Sequence, residues 1–319
     1  MTCAALLLAG ALPGSAADLL EAGKPLVLTG TNGRFDFLAM DVEGRRLLAA
    51  HTGNGSLDII DIDKQEVVKI VPVGAAQSAA VDAKGKRYFA SVSKPLQLVV
   101  IDASTLEVSA KVPVSGPADL MAFNTKTGMA YVGHDDGKDL WVIDPAQKKV
   151  VATVELPGEA PEDLGFDAQF ARVFQAMKTG NVIAVVDVAT NKVTAKWPTA
   201  PATGPHGIAM VQDAEAILVA GANGKLAMMS QKDGHVIASA DIGAGVDQIA
   251  YDAGFHRVYC ASAKGKIMVL GVDKESLAPA GEVASSDGAR SIAVDAKTHT
   301  VWIAYAKDGV GVVQPFTAK

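Results

Sequence analysis

The sequence predicts an all-β protein, a seven-bladed β-propeller with four-stranded blades, on three observations. One short motif recurs seven times, most fully at 290–305, with its anchor at Asp41, Asp82, Asn124, Asp167, Val211, Asp252 and Asp295. Successive anchors lie 41, 42, 43, 44, 41 and 43 residues apart. A bulky apolar residue follows each anchor by seven positions: Leu48, Phe89, Tyr131, Phe174, Leu218, Tyr259 and Trp302. Between anchors run four short stretches rich in Val and Ile and bounded by Gly, Asp and Lys, which reads as strands rather than helices. A period of about 40 residues with four strands per copy is the pattern of propeller blades.

The elements follow from local chemistry. In the second copy, 78–82, 87–92, 98–102 and 108–114 are the four strands, from the axis outward. The second-to-third hairpins carry Asn54-Gly55, Asp136-Gly137, Thr179-Gly180, Asn223-Gly224, Lys264-Gly265 and Asp308-Gly309, where glycine supplies the positive φ of a tight turn. The second copy has Lys94-Pro95 there instead and a longer loop is expected. Third strands end in Asp61, Asp102, Asp144 and Asp187, whose carboxylates can accept backbone N–H groups in the following turn. Pro72, Pro113, Pro157 and Pro198 fall in fourth strands, as an outer edge tolerates. The last copy stops after three strands near Gln314, and the stretch 26–29 is expected to supply its fourth. Closing a ring between the chain ends removes open sheet edges. The expected blades are about 34–74, 75–116, 117–159, 160–201, 202–245, 246–288 and 289–319 plus 22–33, one domain over 18–319.

Composition bounds the partners. With 29 Lys and Arg against 35 Asp and Glu, the formal charge is −6, which argues against a non-specific grip on nucleic acid or anionic lipid. The start of the chain reads as an export signal. An apolar run from Cys3 to Leu12 is broken by Pro13 and Gly14, and Ser15-Ala16-Ala17 offers a small-x-small cleavage site, although no basic residue precedes the run. The run is about half a bilayer span. Removal of 1–17 leaves a single cysteine, Cys260, and no intrachain disulfide. A periplasmic or secreted monomer without a membrane span is expected.

Tyr131-Val132-Gly133, Leu140 to Asp144, Lys149 to Gly158 and Gly204-Pro205-His206-Gly207-Ile208-Ala209 resemble the repeats of YVTN-type, YncE-like propellers over nearly the whole mature chain. The resemblance implies the seven-bladed fold. Its relatives include exported bacterial proteins, surface-layer proteins, subunits of quinone-linked dehydrogenases and a single-stranded DNA binder. The acidic balance and the lack of an interleaved Arg and aromatic stripe depart from the last of these. The Gly204–Gly207 motif also resembles lactonases of the phosphogluconolactonase type, whose arginine beside the histidine is here Pro205.

Candidate chemistry lies where inner strands begin, at the channel mouth. Five residues before each anchor stand Asp36, Gln77, Asp119, Glu162, His206, Asp247 and Arg290, with Asp163 beside Glu162. A merely solvated rim needs no such concentration of carboxylates, and like charges in a confined space raise one another's pKa or recruit a cation. His51 and His134 share a register position ten residues after their anchors, and with His206 they are expected to converge on this face. Imidazole with carboxylate suits a divalent metal ion, the cofactor this arrangement suggests. No nucleophile elbow, His-Glu-x-x-His or Cys-x-x-Cys motif is present. The expected function is therefore binding or scaffolding of a small molecule or partner protein at the acidic, histidine-bearing mouth. The alternatives are a metal-assisted, lactonase-like hydrolase at the same place, or an accessory protein of a quinone-linked dehydrogenase.

Overall fold

The computed structural model describes residues 19–167, 169 and 171–319. The predicted signal segment, 1–17, lies outside the described residues. Seven antiparallel sheets surround one axis. The inner strands are Leu38–Asp41, Ala76–Asp82, Ala118–Asn124, Pro161–Asp167, Pro205–Val211, Val246–Asp252 and Ser291–Asp295. A single 3₁₀ turn, Gln212–Ala214, interrupts the strands among the described residues.

The repeated bulky residue has a repeated partner. Leu48, Phe89, Tyr131, Phe174, Leu218, Tyr259 and Trp302 each sit in register opposite a small residue of the inner strand: Ala39, Ala80, Ala122, Gly165, Ala209, Ala250 and Ala293. Inner strands crowd the axis and leave room only for small side chains there. Second strands diverge, and their large side chains fill the wedge between neighbouring sheets, so all seven are almost fully buried.

Turn chemistry matches the expectation in most places. Asp61, Asp102, Asp144 and Asp187 each accept a backbone N–H from the turn that follows, at 2.8 to 3.0 Å. The turn glycines Gly55, Gly180, Gly224, Gly265 and Gly309 have positive φ, but in blade three Asp136 takes that role at φ 58° instead of Gly137. Pro72, Pro113 and Pro198 end outer strands, whereas Pro157 lies two residues beyond the strand Lys149–Glu155.

Ring closure is more elaborate than one added strand. Blade seven holds Ser291–Asp295, Thr300–Lys307 and Val310–Ala318, so its third strand runs past Gln314. Two N-terminal pieces then share its fourth position: Leu20–Ala22 pairs with Phe316 to Ala318, and Leu26–Leu28 with Gly311 to Val313. Lys24-Pro25 separates them, since proline cannot donate to the ladder.

The seam between chain ends is tightly packed at Gly311. A Cβ there would lie 2.6 Å from the His51 ring, 2.9 Å from Thr31 Oγ1 and 3.0 Å from Phe35. None of these is a free chain end, because His51 is fully buried and Thr31 donates its hydroxyl to Leu28 O at 2.6 Å. Gly311→Ala is therefore expected to destabilise the protein by about 1–3 kcal/mol. A thermal melt should show a midpoint lowered by a few degrees; an unchanged midpoint would mean the seam can relax.

Candidate functional site

The mouth residues are aimed by backbone irregularity. In blades two to six the pairing of inner with second strand slips between Ala76 and Ser78, Ala118 and Met121, Pro161 and Leu164, Pro205 and Ile208, and Val246 and Ile249. Gln77, Asp119, Glu162, His206 and Asp247 lie within these slips. A bulge releases a side chain from the strict alternation of a strand and redirects it, here toward the axis. Asp36 and Arg290 reach the same opening from just before their inner strands.

A cavity of about 250 Å³ results, lined by Asp36, Gln77, Asp119, Glu162, His206, Asp247 and Arg290. Arg34, Asp135 and Lys178 also line it; the spacing argument missed them because they come from loops and hairpins outside the repeated motif. Its wall is almost wholly polar. Phe37 and Leu120, which also touch the cavity, belong to the same buried apolar cluster as Leu164.

Two of the bulged residues tie blades together instead of facing the opening. Asp163 is buried, and its carboxylate accepts the N–H groups of Leu164 and Ile208, both at 2.8 Å, joining blade four to blade five. It does not line the cavity, contrary to the sequence expectation. Gln248 accepts from the N–H groups of Leu38 at 2.9 Å and Ile292 at 3.0 Å and donates to Leu38 O at 2.8 Å, linking blades six, seven and one.

Charge at the mouth is partly paired. Arg290 lies 3.2 Å from Asp247 and 4.0 Å from Asp36, and Arg34 reaches Asp36 at 3.2 Å. Lys178 pairs with Glu162 at 3.0 Å, and His206 Nε2 stands 3.7 Å from the same oxygen. Desolvation, reinforced by the charge of Asp247 and opposed by the arginines, pushes Asp36 up to about 7. Desolvation also raises Asp163 to about 7, against the two N–H bonds it accepts. Asp119 is held well above the usual carboxylate range by desolvation and by the charges of Asp36, Glu162, Asp135 and Asp247. Glu162 and Asp135 are raised as well, each chiefly by desolvation.

The three histidines do not converge. His51 is fully buried in the seam, with Nδ1 2.6 Å from Asp58, Nε2 3.3 Å from Gly33 O and its ring stacked on Phe35 at 3.8 Å. His134 stacks on Trp141 at 4.8 Å, is flanked by Gly116 and Gly137, and turns Nδ1 toward Asp139. Only His206 lines the mouth, with Nδ1 2.6 Å from Gly204 O. The shared register of His51 and His134 places them at the ends of regular second strands, whose side chains point between blades, and not in the bulges or loops that deliver side chains to the mouth. Among the described residues, no three His, Cys, Asp or Glu side chains are grouped to hold a metal ion. The expected centre of His51, His134 and His206 is thus not assembled.

Comparison with known proteins places this geometry. A family model described as "Cytochrome D1 heme domain" matches residues 27–210, more than half of the chain. No curated protein matches at a significant level. Among solved structures, the WD40 repeats of RRP9 superpose with a TM-score of 0.82 at 10% identity, covering 94% of this chain and 99% of that one. A chain of hydrazine synthase from Kuenenia stuttgartiensis gives 0.77 at 15% identity, covering 89% and 96%. U3-55K gives 0.81 at 11% identity, covering 93% and 99%. At such identities the likeness is one of fold.

The haem that the family description implies does not fit this mouth. A tetrapyrrole is larger than the drug-sized ligands that occupy cavities of about 300–1,000 Å³ and needs extended apolar walls and an axial ligand. Here the cavity is about 250 Å³ and is walled by Asp36, Asp119, Asp135, Glu162 and Asp247, and the one histidine lining it faces Glu162. The groove of about 300 Å³ on the opposite rim, between blades one and two, holds no histidine, cysteine or methionine.

Two outcomes are expected. A carboxyl whose folded pKa exceeds its unfolded value destabilises the fold once it must ionise, so the terms from Asp36 and Asp163 fall away as pH rises from about 4 through about 7. The turn carboxylates Asp61, Asp102, Asp144 and Asp187 are lowered, first by hydrogen bonds from their turns, and lose their contribution only as pH drops below about 4. The melting midpoint should thus decline by a few degrees between about pH 5 and 7.5, and Asp36→Asn should flatten the decline; a wild-type midpoint constant over that range would contradict the assignment. Hemin mixed with the protein should show no shifted Soret band after gel filtration, and a retained band would overturn the misfit. Ligand and lineage are separate matters, however: by the extent of the match, the chain belongs to the Cytochrome D1 heme domain family.

Proposed function

We propose that this protein is an exported, YncE-like propeller that binds a ligand or partner through the charged mouth of its ring. One observation carries the reading. Five bulges and two loop residues deliver Asp36, Gln77, Asp119, Glu162, His206, Asp247 and Arg290 to one cavity, and several of the carboxyls there are driven from their ordinary pKa. Strained protonation in a concave site is costly to the fold and is typical of places where a ligand acts. The ring supplies rigidity; the fold does not choose the ligand.

Export rests on the apolar run from Cys3 to Leu12 and the small-residue site Ser15-Ala16-Ala17. Cleavage after Ala17 would leave Leu19 and Leu20, both buried, and the strand Leu20–Ala22 intact in blade seven. The metal-assisted hydrolase reading loses its support, since His51 and His134 are engaged elsewhere. The accessory-subunit reading, beside a redox enzyme such as a quinone-linked dehydrogenase, is favoured by family membership alone.

Native mass spectrometry of untagged protein from the periplasmic fraction tests these readings together. The expected mass begins at Asp18 and includes a bound species that is lost on replacing Asp36, Asp119 and Asp247 together with asparagine. The same bound species on wild type and variant would remove the mouth as the site. A dehydrogenase co-purifying with both would favour the accessory role, and an uncleaved cytoplasmic chain would remove export.

A further inference from the structure

The charges at the mouth are not evenly matched, and the mismatch is local. On the side of blades one, six and seven, Arg34 and Arg290 are taken up by Asp36 and Asp247. On the side of blades four and five, Lys178 and His206 both face Glu162. That leaves blade three. Asp119, in the bulge of its inner strand, and Asp135, in the hairpin after its second strand, both line the cavity, and among the described residues neither has a basic side chain within ion-pair distance. The Asp119 side chain makes no hydrogen bond to another described residue and is enclosed by protein on most sides, its surroundings including Asp36, Glu162, Asp135 and Asp247. Beside them on blade two, Gln77 uses its Nε2 on Ser93 Oγ at 2.6 Å and Ala75 O at 3.3 Å, which leaves its carbonyl oxygen as an acceptor at the cavity wall.

Once ionised, an unpaired carboxylate pair with an amide oxygen on the same cavity wall is a set of acceptors without donors. This inference rests on the reading that the mouth binds a ligand, and it names the ligand's chemistry. We infer that the blade-three side of the mouth, Asp119 and Asp135 with the Gln77 carbonyl, is the seat of a small organic cation bearing several N–H donors, a primary ammonium or a guanidinium. A divalent metal fits less well, because it needs several oxygens at about 2.0–2.6 Å from one point, and no three candidate ligands are so grouped among the described residues. An anion fits less well because each basic group is already paired with Asp36, Asp247 or Glu162. N–H donors can instead make charge-assisted hydrogen bonds to carboxylates held on separate elements, each in turn. A cavity of about 250 Å³ admits a small amine or the head of a longer one.

Protons compete for the same seat. The groups facing it are Arg34, Asp36, Glu162, Lys178, His206, Asp247 and Arg290. Asp119 and Asp135 hold their protons above the usual carboxylate range, chiefly through desolvation, so the cation must displace them and binding should tighten as pH rises above that range.

Isothermal titration of the mature, untagged protein with agmatine at pH 6 and pH 8 tests the inference, with calcium chloride, sodium acetate and an acetylated Gly-Arg-Gly peptide as parallel probes. Agmatine is expected to bind more tightly at pH 8, with proton release visible as a dependence on buffer ionisation enthalpy. Asp119→Asn should weaken it on the order of tenfold to a hundredfold, while Asp241→Asn, on the outer strand of blade five, should not. Loss of Asp119 removes an unpaired carboxylate, so the variant should fold at least as stably as wild type. Tighter binding of the peptide than of agmatine, still sensitive to Asp119→Asn, would keep the chemistry and assign the cation to a partner's side chain. Agmatine binding indifferent to Asp119→Asn, or calcium or acetate binding in its place, would overturn the inference while leaving the mouth a binding site. No binding by any probe, together with no mouth-dependent species in native mass spectrometry, would remove both.

Discussion

The whole ring depends on one packing contact made seven times: a small residue on the inner strand opposite a bulky one on the second. Ala80 facing Phe89 and Ala293 facing Trp302 are two of them. The pair sets the taper of each blade, narrow at the axis and wide outside, and a taper repeated around a circle closes. Because the large side chain projects into the neighbouring sheet, each blade completes the core of the next, and no blade buries its faces alone. The chain ends must then be joined, which the split fourth strand of blade seven and the crowded seam at Gly311, His51 and Phe35 accomplish.

Carboxylates serve opposite purposes on the two rims. At the rim away from the mouth, anchor aspartates bond the turn that follows and also reach the next blade. Asp41 accepts from Tyr88 at 2.7 Å, Asp252 meets His299 at 2.8 Å, and Asp295 meets Arg45 at 2.8 Å across the seam. His299 is accordingly held between blades and not free on the surface, as its place in a loop would suggest. Each such charge is matched by a donor from a neighbouring sheet, so these groups join the ring rather than strain it.

At the mouth the balance runs the other way. Asp36, Asp119 and Glu162 are gathered where water is partly excluded and like charges are near, so ionising them works against the fold. The surrounding sheets tolerate this because Asp163 and Gln248 use their polar atoms on backbone groups, Asp163 on its own blade and the next, Gln248 on blades seven and one. A rigid, satisfied layer thus supports an unsatisfied one, which is the usual division between scaffold and site.

By itself the sequence determined the number of blades, the strand order within them, the turn aspartates and the ring residues Asp36, Gln77, Asp119, Glu162, His206, Asp247 and Arg290. Those follow from a period counted along the chain, and the fold converts equal spacing into equal position around the axis. What equal spacing does not carry is the direction of a side chain. His51 and His134 keep the register of their blades yet point between sheets, and Asp163 turns down into the backbone of blade five while its neighbour Glu162 turns to the opening. Arg34, Asp135 and Lys178 enter from loops outside the repeat, and Leu20–Ala22 adds a strand that no copy of the motif announces. Only the tertiary structure decided these, because bulges, loop paths and the pairing of charges across the axis depend on blades far apart in the chain meeting at one place.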